Sequence, residues 1–338
     1  MEFFGITFFG SLTGGGLIAV ACVLFVVGLV LVIKGGDWFV DSASWFAEAT
    51  GIPKFVIGAT VVSFATTLPE LLVSVRAALN GSAQLAIGNA VGSVTANTTL
   101  IMGVSLVAMA GVVNRKSFSL KGGIFLASVI GLTLLSLGLS LPVWSAFILW
   151  AICIAFMISN IIEGKKESAP AVETGSYEKK EIPKKIAFFV LGTASIVFGA
   201  EFLVSSGKTI ASGIGISETI IGFTVIALGT SLPELVTTLT AIRKKESSLS
   251  VGNIIGANII DTTLILPLCA VLGGEALPVA KVNLIFDFPI CIAAAAVAVV
   301  PTMIAGRFKK WQGYALLGIY AVYMLLLIFN EVGVVALG

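Results

Sequence analysis

The sequence predicts an all-α polytopic membrane protein, with ten transmembrane helices arranged as two inverted five-helix repeats whose second and seventh helices are interrupted. Three observations predict it. The chain is 57% hydrophobic and 11% charged over 338 residues, with a mean hydropathy of +1.08, and its apolar runs reach the roughly 20 residues that a helix needs to cross a bilayer. Sliding the chain by 164 residues without a gap lays 51–100 on 215–264 with 19 of the 50 pairs identical. Within that repeat, ATTLPELL at 65–72 and GTSLPELV at 229–236 set a proline and a glutamate inside otherwise apolar runs.

Taken in order, the apolar runs place spans at about 17–33, 52–79, 84–110, 122–140, 143–162, 186–206, 216–242, 249–273, 282–304 and 312–330. The residues before the first span lack the basic start of a secretory signal, so that span is read as a retained helix. The first five spans make one half, 1–163, carrying the repeat 51–100. The last five make the other, 186–338, carrying 215–264. Between them, 164–185 is rich in Lys, Glu, Ser and Pro and reads as a short flexible cytoplasmic linker. With the amino terminus outside, the inner loops collect 17 of the 20 Lys and Arg, Lys121 among them, and leave outside only Arg76, Lys208 and Lys281. The basic-inside bias therefore puts both termini on the outer face of the cell membrane. An odd number of spans per half turns the second copy upside down relative to the first, an architecture that brings interrupted helices together at the bilayer midplane.

Composition also excludes functions. The net charge of +2 lies in short loops and on no single face, which argues against a nucleic-acid partner. Cys22, Cys153, Cys269 and Cys291 sit in apolar runs without metal-ligand spacing and read as small buried hydrophobes. No cofactor and no obligate protein partner is expected, and the bilayer is the expected surrounding.

The interruptions carry the chemistry. Pro69 has no N–H to offer the Ala65 carbonyl, and the nearby Thr66 carbonyl also loses regular pairing; Pro233 acts in the same way on Gly229 and Thr230. Ser63, Thr66, Thr67 and Glu70 recur at i, i+3, i+4 and i+7 and share one helical face; Ala227, Thr230, Ser231 and Glu234 repeat that spacing. The next span adds Asn89, Ser93 and Asn97 at every fourth residue in the first copy, and Asn253, Ala257 and Asp261 in the second. A carboxylate in hydrocarbon costs several kcal/mol, of order 3, unless it meets a partner. Every candidate ligand is an oxygen, and the chain has no histidine. That donor set suits a hard cation. Glu70 and Glu234 brought together could be neutralised by one Ca²⁺ or by several Na⁺. Left bare they would repel in low dielectric, which penalises a conformational change without cargo.

The TTLPE and GTSLPE pair, followed by GNAVGS and GNIIGA respectively, resembles the α-repeats of the sodium/calcium exchanger branch of the cation/calcium antiporter superfamily. The resemblance extends over nearly the whole chain. It implies electrogenic exchange of Na⁺ for Ca²⁺ by alternating access, with two helices of one half sliding past a midplane site. It implies a Ca²⁺ site from Glu70 and Glu234 with the Thr66 and Thr230 carbonyls. It further implies Na⁺ sites drawing on the Ser63 and Ala227 carbonyls, Thr67, Ser231 and Ser93, with Asn97 and Asp261 near the centre. Two positions depart from the pattern: Ala257 stands where the family usually has a serine, and Val94 where the second copy keeps Asn258.

Proton/calcium exchangers typically carry a glutamate where this chain has Gly92 and Gly256, which favours sodium coupling; potassium-dependent sodium/calcium exchange stays open, because Asp261 matches an acidic residue of that branch. A channel would pass Ca²⁺ without a counter-ion, and a membrane aspartyl protease would need a GxGD motif that the chain lacks. Thr98, Thr99, Thr262 and Thr263 also suit interhelical hydrogen bonding, and Asn89 and Asn253 suit bracing. Asp37, Glu201, Lys208 and Asp287 read as interfacial charges near span ends.

Overall fold

A computed structural model describes residues 2–3, 6–7, 15–167, 181–213, 229 and 231–331. The fold is helical: α1 (Gly15–Thr50), α2 (Lys54–Thr66), α3 (Leu68–Leu79), α4 (Ala83–Met109), α5 (Arg115–Leu135), α6 (Ser145–Lys166), α7 (Glu181–Ile210), α8 (Leu232–Arg243), α9 (Ser247–Gly273), α10 (Asn283–Ala305) and α11 (Lys310–Asn330). Among the described residues eight helices are long and apolar enough to cross a membrane, and α2 with α3, bent by 45° at the break between them, would make a ninth span if the pair crosses as one. The span expected over 216–242 is represented by α8, its earlier part lying outside the described residues.

Burial separates centre from periphery. In their most apolar windows α4 is 78% and α9 83% buried, against 17% for α1 and for α11. The two central helices therefore pack against protein on nearly every side, while the outer ones show apolar flanks to lipid, as Val23, Phe147 and Ile304 do. Two small backbone links tie the helix connections together. Ser140–Leu141 pairs antiparallel with Leu277–Pro278, and Phe308 N–H donates to Gly111 O at 2.8 Å while Val113 N–H donates to Gly306 O at 3.1 Å.

Four expectations change. α1 does not stop near residue 33 but runs on to Thr50, because Asp37 and Asp41 are satisfied by Arg243 and Lys244 at the end of α8, Lys244 Nζ lying 2.6 Å from Asp41. α5 begins at Arg115, capped by Asn114, whose Oδ1 accepts from Ser117 N–H at 3.3 Å. Lys121 is consequently not a loop cation: it is fully buried, its ammonium 2.7 Å from Glu163 and 4.7 Å above the Phe55 ring. Asp287 is likewise no interfacial charge but a buried acceptor, bonded by Asn283 Nδ2 at 2.7 Å and Tyr323 OH at 3.1 Å. Of the cysteines, Cys153, Cys269 and Cys291 are buried, but Cys22 faces outward from α1.

α1 and α7 pair along their length. Gly28 meets Gly199 and Gly35 meets Gly192, so that an added Cβ on Gly28 would stand 2.8 Å from the Gly199 carbonyl oxygen and one on Gly35 would stand 2.9 Å from that of Gly192. Both pairings sum to the same number, as antiparallel helices require. Small residues permit this approach, which drives association in lipid through backbone packing.

Candidate functional site

The break between α2 and α3 falls on Thr67, whose φ of −84° and ψ of 2° are not helical. The preceding turn still closes, with Thr67 N–H donating to Ser63 O at 3.0 Å, and a new helix starts at Leu68. Pro69 is the second residue of that helix, where a missing N–H costs nothing and the fixed φ favours a start. Ser231 repeats the conformation, φ −86° and ψ 7°, before a helix of equal length with Pro233 second. Glu70 and Glu234 thus each sit in the first turn of a helix, where the positive end of the dipole faces a carboxylate.

The next interruption is of another kind. Asn97–Ile101 on α4 and Asp261–Ile265 on α9 are π-helical, and each widened turn begins at the polar residue of the stripe. Such turns concentrate at functional sites because they re-aim side chains and loosen carbonyls.

The described candidates are all deeply buried. Ser63, Glu70, Asn97, Glu234 and Asp261 are inaccessible, and Thr66, Thr67, Ser93 and Ser231 are 2% exposed or less. Thr230 and Ala227 lie outside the described residues. The carboxyl of Glu70 faces Ser231 and stands within electrostatic reach of Glu234 and Asp261; that of Glu234 faces Thr66. Residues of α2, α3, α8 and α9 are therefore brought together, two from each half of the chain.

Hydrogen bonding sorts these groups. Thr66 Oγ1 donates to Asn253 Oδ1 at 3.1 Å, and Asn89 Nδ2 holds the Glu70 carbonyl at 3.3 Å and Ser74 Oγ at 3.0 Å. Asn89 and Asn253 are thus braces. Thr98 accepts from Asn258 Nδ2 at 2.9 Å and Thr262 donates to Ser128 at 3.0 Å, as interhelical ties, while Thr99 and Thr263 bond back to Thr95 O and Ile259 O. The Ser63 carbonyl accepts from Thr67 N–H and from Thr67 Oγ1 at 2.8 Å, with Thr66 Oγ1 3.3 Å away and sharing its one hydrogen with Asn253, so a cation using it would compete with the two Thr67 donors. By contrast, both carboxylate oxygens of Glu70, Glu234 and Asp261, Asn97 Oδ1 and Ser231 Oγ are buried without a hydrogen-bond partner among the described residues.

Orphaned acceptors at this density are not a stable apolar core, since each costs about 1–3 kcal/mol and charged ones more. They fit a desolvated cation. Among the described residues no three His, Cys, Asp or Glu side chains converge tightly enough to cage a metal unaided, which leaves part of the donor set to neutral oxygens. Two further groups belong to the same orphaned set: Asn258 Oδ1, which the sequence marks only as the counterpart of Val94, and Thr237 Oγ1, which it does not single out. Their spacing is the signal, Asn258 three residues before Asp261 and Thr237 three after Glu234, each on the face of its carboxylate.

A helical bundle with spans long and apolar enough to cross a membrane, and with carboxylates orphaned among the described residues where its two halves meet, has the architecture of a membrane cation transporter. The sodium/calcium exchanger protein family matches residues 20–162 and 184–329. The chain belongs to that family, among the cation/calcium antiporters. It is 32% identical over 351 residues to the sodium/calcium exchanger MaX1 of Methanosarcina acetivorans, with 93% of this chain and all of that one covered, and 34% identical to the inner membrane protein YrbG of Escherichia coli over 77% of this chain and 82% of that one. Its fold is similar to that of the sodium-calcium exchanger NCX_Mj soaked with 10 mM Na⁺ and zero Ca²⁺, at a TM-score of 0.80 and 28% identity, covering 91% of this chain and 99% of that one.

Proposed function

We propose that this protein exchanges Na⁺ for Ca²⁺ across the cell membrane by alternating access. One observation carries the reading: six carboxylate oxygens, on Glu70, Glu234 and Asp261, are buried without a hydrogen-bond partner among the described residues, at the meeting of the two halves. Ca²⁺ would sit between Glu70 and Glu234 with the Thr66 and Thr230 carbonyls, and Na⁺ would draw on Ser63, Ala227, Thr67, Ser231 and Ser93, with Asn97 and Asp261 at the centre. Ca²⁺ and Na⁺ are substrates here, each replacing the other because the bare carboxylates repel. Hard oxygens suit both.

The proposal includes ten spans in two inverted halves, 1–163 and 186–338, joined by the cytoplasmic linker 164–185, with interrupted second and seventh helices and both termini outside. The repeated backbone at Thr67 and Ser231 supports the inverted repeat. The moving unit is the pair α1 and α7, one helix from each half in place of the two from one half that the sequence suggested. Its helices are fastened to one another by the glycine approach and show most of their remaining surface to lipid.

The test is uptake of radiolabelled Ca²⁺ by proteoliposomes under an outward Na⁺, H⁺ or K⁺ gradient. Uptake driven by Na⁺ alone is expected. Uptake driven by H⁺ and not by Na⁺ would overturn the coupling. Asp261, as a third buried carboxylate, favours potassium-dependent exchange as the second reading, which a requirement for K⁺ on the Ca²⁺ side would establish.

A further inference from the structure

Away from the transport site, a groove of about 530 Å³ opens between the Lys-rich ends of α5 and α6. Its chemistry is divided. Toward the helix ends stand Lys116 and Lys166, both exposed, and toward the bundle the wall becomes Leu120, Ile158 and Ile162, which are 53%, 49% and 46% exposed. The acidic residue at its edge, Glu163, is already satisfied by Lys121 at 2.7 Å and by the Ser117 hydroxyl, so among the described residues Lys116 and Lys166 make no ion pair and leave the groove positive.

We propose that this groove binds one acidic phospholipid, its phosphate between Lys116 and Lys166 and an acyl chain along Leu120, Ile158 and Ile162. Charge complementarity selects the occupant. An ammonium at a membrane boundary attracts anionic headgroups, and the apolar floor, continuous with the hydrocarbon, selects a lipid over free phosphate or a soluble anion. The position matters to the bundle, because Glu163 lies on the wall shared with a second cavity, of about 370 Å³, which is lined by Lys54 and Phe55 at the start of α2. Through Lys121, which bonds Glu163 and covers the Phe55 ring, a lipid seated in the groove would brace the end of the interrupted helix opposite the ion site.

Native mass spectrometry of the full chain, released from vesicles holding phosphatidylglycerol and phosphatidylcholine in equal amounts, tests this. The wild type is expected to retain one phosphatidylglycerol in preference to phosphatidylcholine. Each lysine removed should lower that retention roughly fivefold, and K116Q/K166Q about thirtyfold. K309Q/K310Q, which removes two cations from another place on the same face, should retain the lipid. Ca²⁺ uptake by K116Q/K166Q in pure phosphatidylcholine vesicles should match wild type, which separates a lost lipid from a lost fold and from any failure of the exchange reading. Equal losses in the two double variants would reduce the effect to general surface charge and overturn the site. Retention only after deletion of 168–180 would show that the linker fills the groove, and would overturn it as well.

Discussion

Gly28 and Gly199 meet backbone to backbone, each placed so that a Cβ would stand 2.8 or 2.9 Å from the other's carbonyl oxygen. The distance is shorter than real Cβ contacts allow, and the neighbour is main chain, which has no rotamer to swing aside. At this crossing the two main chains approach directly, with Leu31, Val32 and Phe202 packed around the contact.

Replacing Gly199 by Leu should therefore force the two helices apart, lower thermal stability by several degrees and cut exchange at least tenfold. Gly123 on α5 has nothing within 4 Å of its added Cβ, and Gly123→Ala should leave both properties near wild type. Unfolding followed by fluorescence in detergent, with Ca²⁺ uptake in liposomes, checks the pair. Equal behaviour of the two variants would remove the glycine approach from the account of α1 and α7.

Lys121 and Glu163 form an ion pair in which the lysine side chain is fully buried. Removing one member strands a charge in the bundle, which costs about 3–5 kcal/mol, whereas replacing both with apolar residues can be nearly neutral. Lys121→Met and Glu163→Leu are each expected to lower the thermal midpoint sharply, and the double variant to recover most of the loss. A double-mutant cycle by thermal unfolding measures the coupling. If the single losses simply added, the pair would have no joint energy.

The broad fold was legible because the bilayer leaves few choices. Apolar runs of spanning length become helices, and nine of the ten expected runs coincide with α1 to α7 and α9 to α11, α2 and α3 sharing one. Ends were harder to read where a charge finds a distant partner. Asp37 looked like the close of a span, yet Arg243 and Lys244, some 200 positions on, let α1 continue past it. Lys121 counted as a loop cation for the same reason, its neutralising Glu163 being invisible to hydropathy. At the site, spacing disclosed which residues share a face, so the polar stripes that carry Glu70, Asn97, Glu234 and Asp261 were legible. Spacing did not disclose that the Ser63 carbonyl is already engaged by Thr66 and Thr67, nor that Asn258 anchors its amide on Thr98 and leaves its oxygen without a partner among the described residues.

Ala257 is fully buried on α9, four residues from both Asn253 and Asp261 and so on the same stripe. A hydroxyl there would add one neutral oxygen beside the orphaned carboxylate at the cost of little volume. Ala257→Ser should lower the Na⁺ concentration giving half-maximal Ca²⁺ efflux by roughly two- to tenfold, as one added polar contact of about 0.5–1.5 kcal/mol allows. Measured efflux against external Na⁺ checks this. An unchanged Na⁺ dependence in a folded variant would place the stripe outside the Na⁺ path.

Glu70 and Glu234 are the strongest test of the site, because glutamine keeps the shape of each and removes only the charge. Neither carboxylate has a hydrogen-bond partner among the described residues, so the amide breaks no hydrogen bond and the fold should survive. If those charges face the cargo, Glu70→Gln and Glu234→Gln should each reduce Ca²⁺ uptake by at least a hundredfold, while the thermal midpoint without Ca²⁺ stays within a few degrees of wild type or rises. A rise is the informative outcome, since burying an unpaired carboxylate is itself destabilising and its removal relieves that cost. Added Ca²⁺ should stabilise the wild type by mass action and leave both variants unmoved. Exchange retained in both, or equal Ca²⁺ stabilisation of all three proteins, would move the Ca²⁺ site away from the pair.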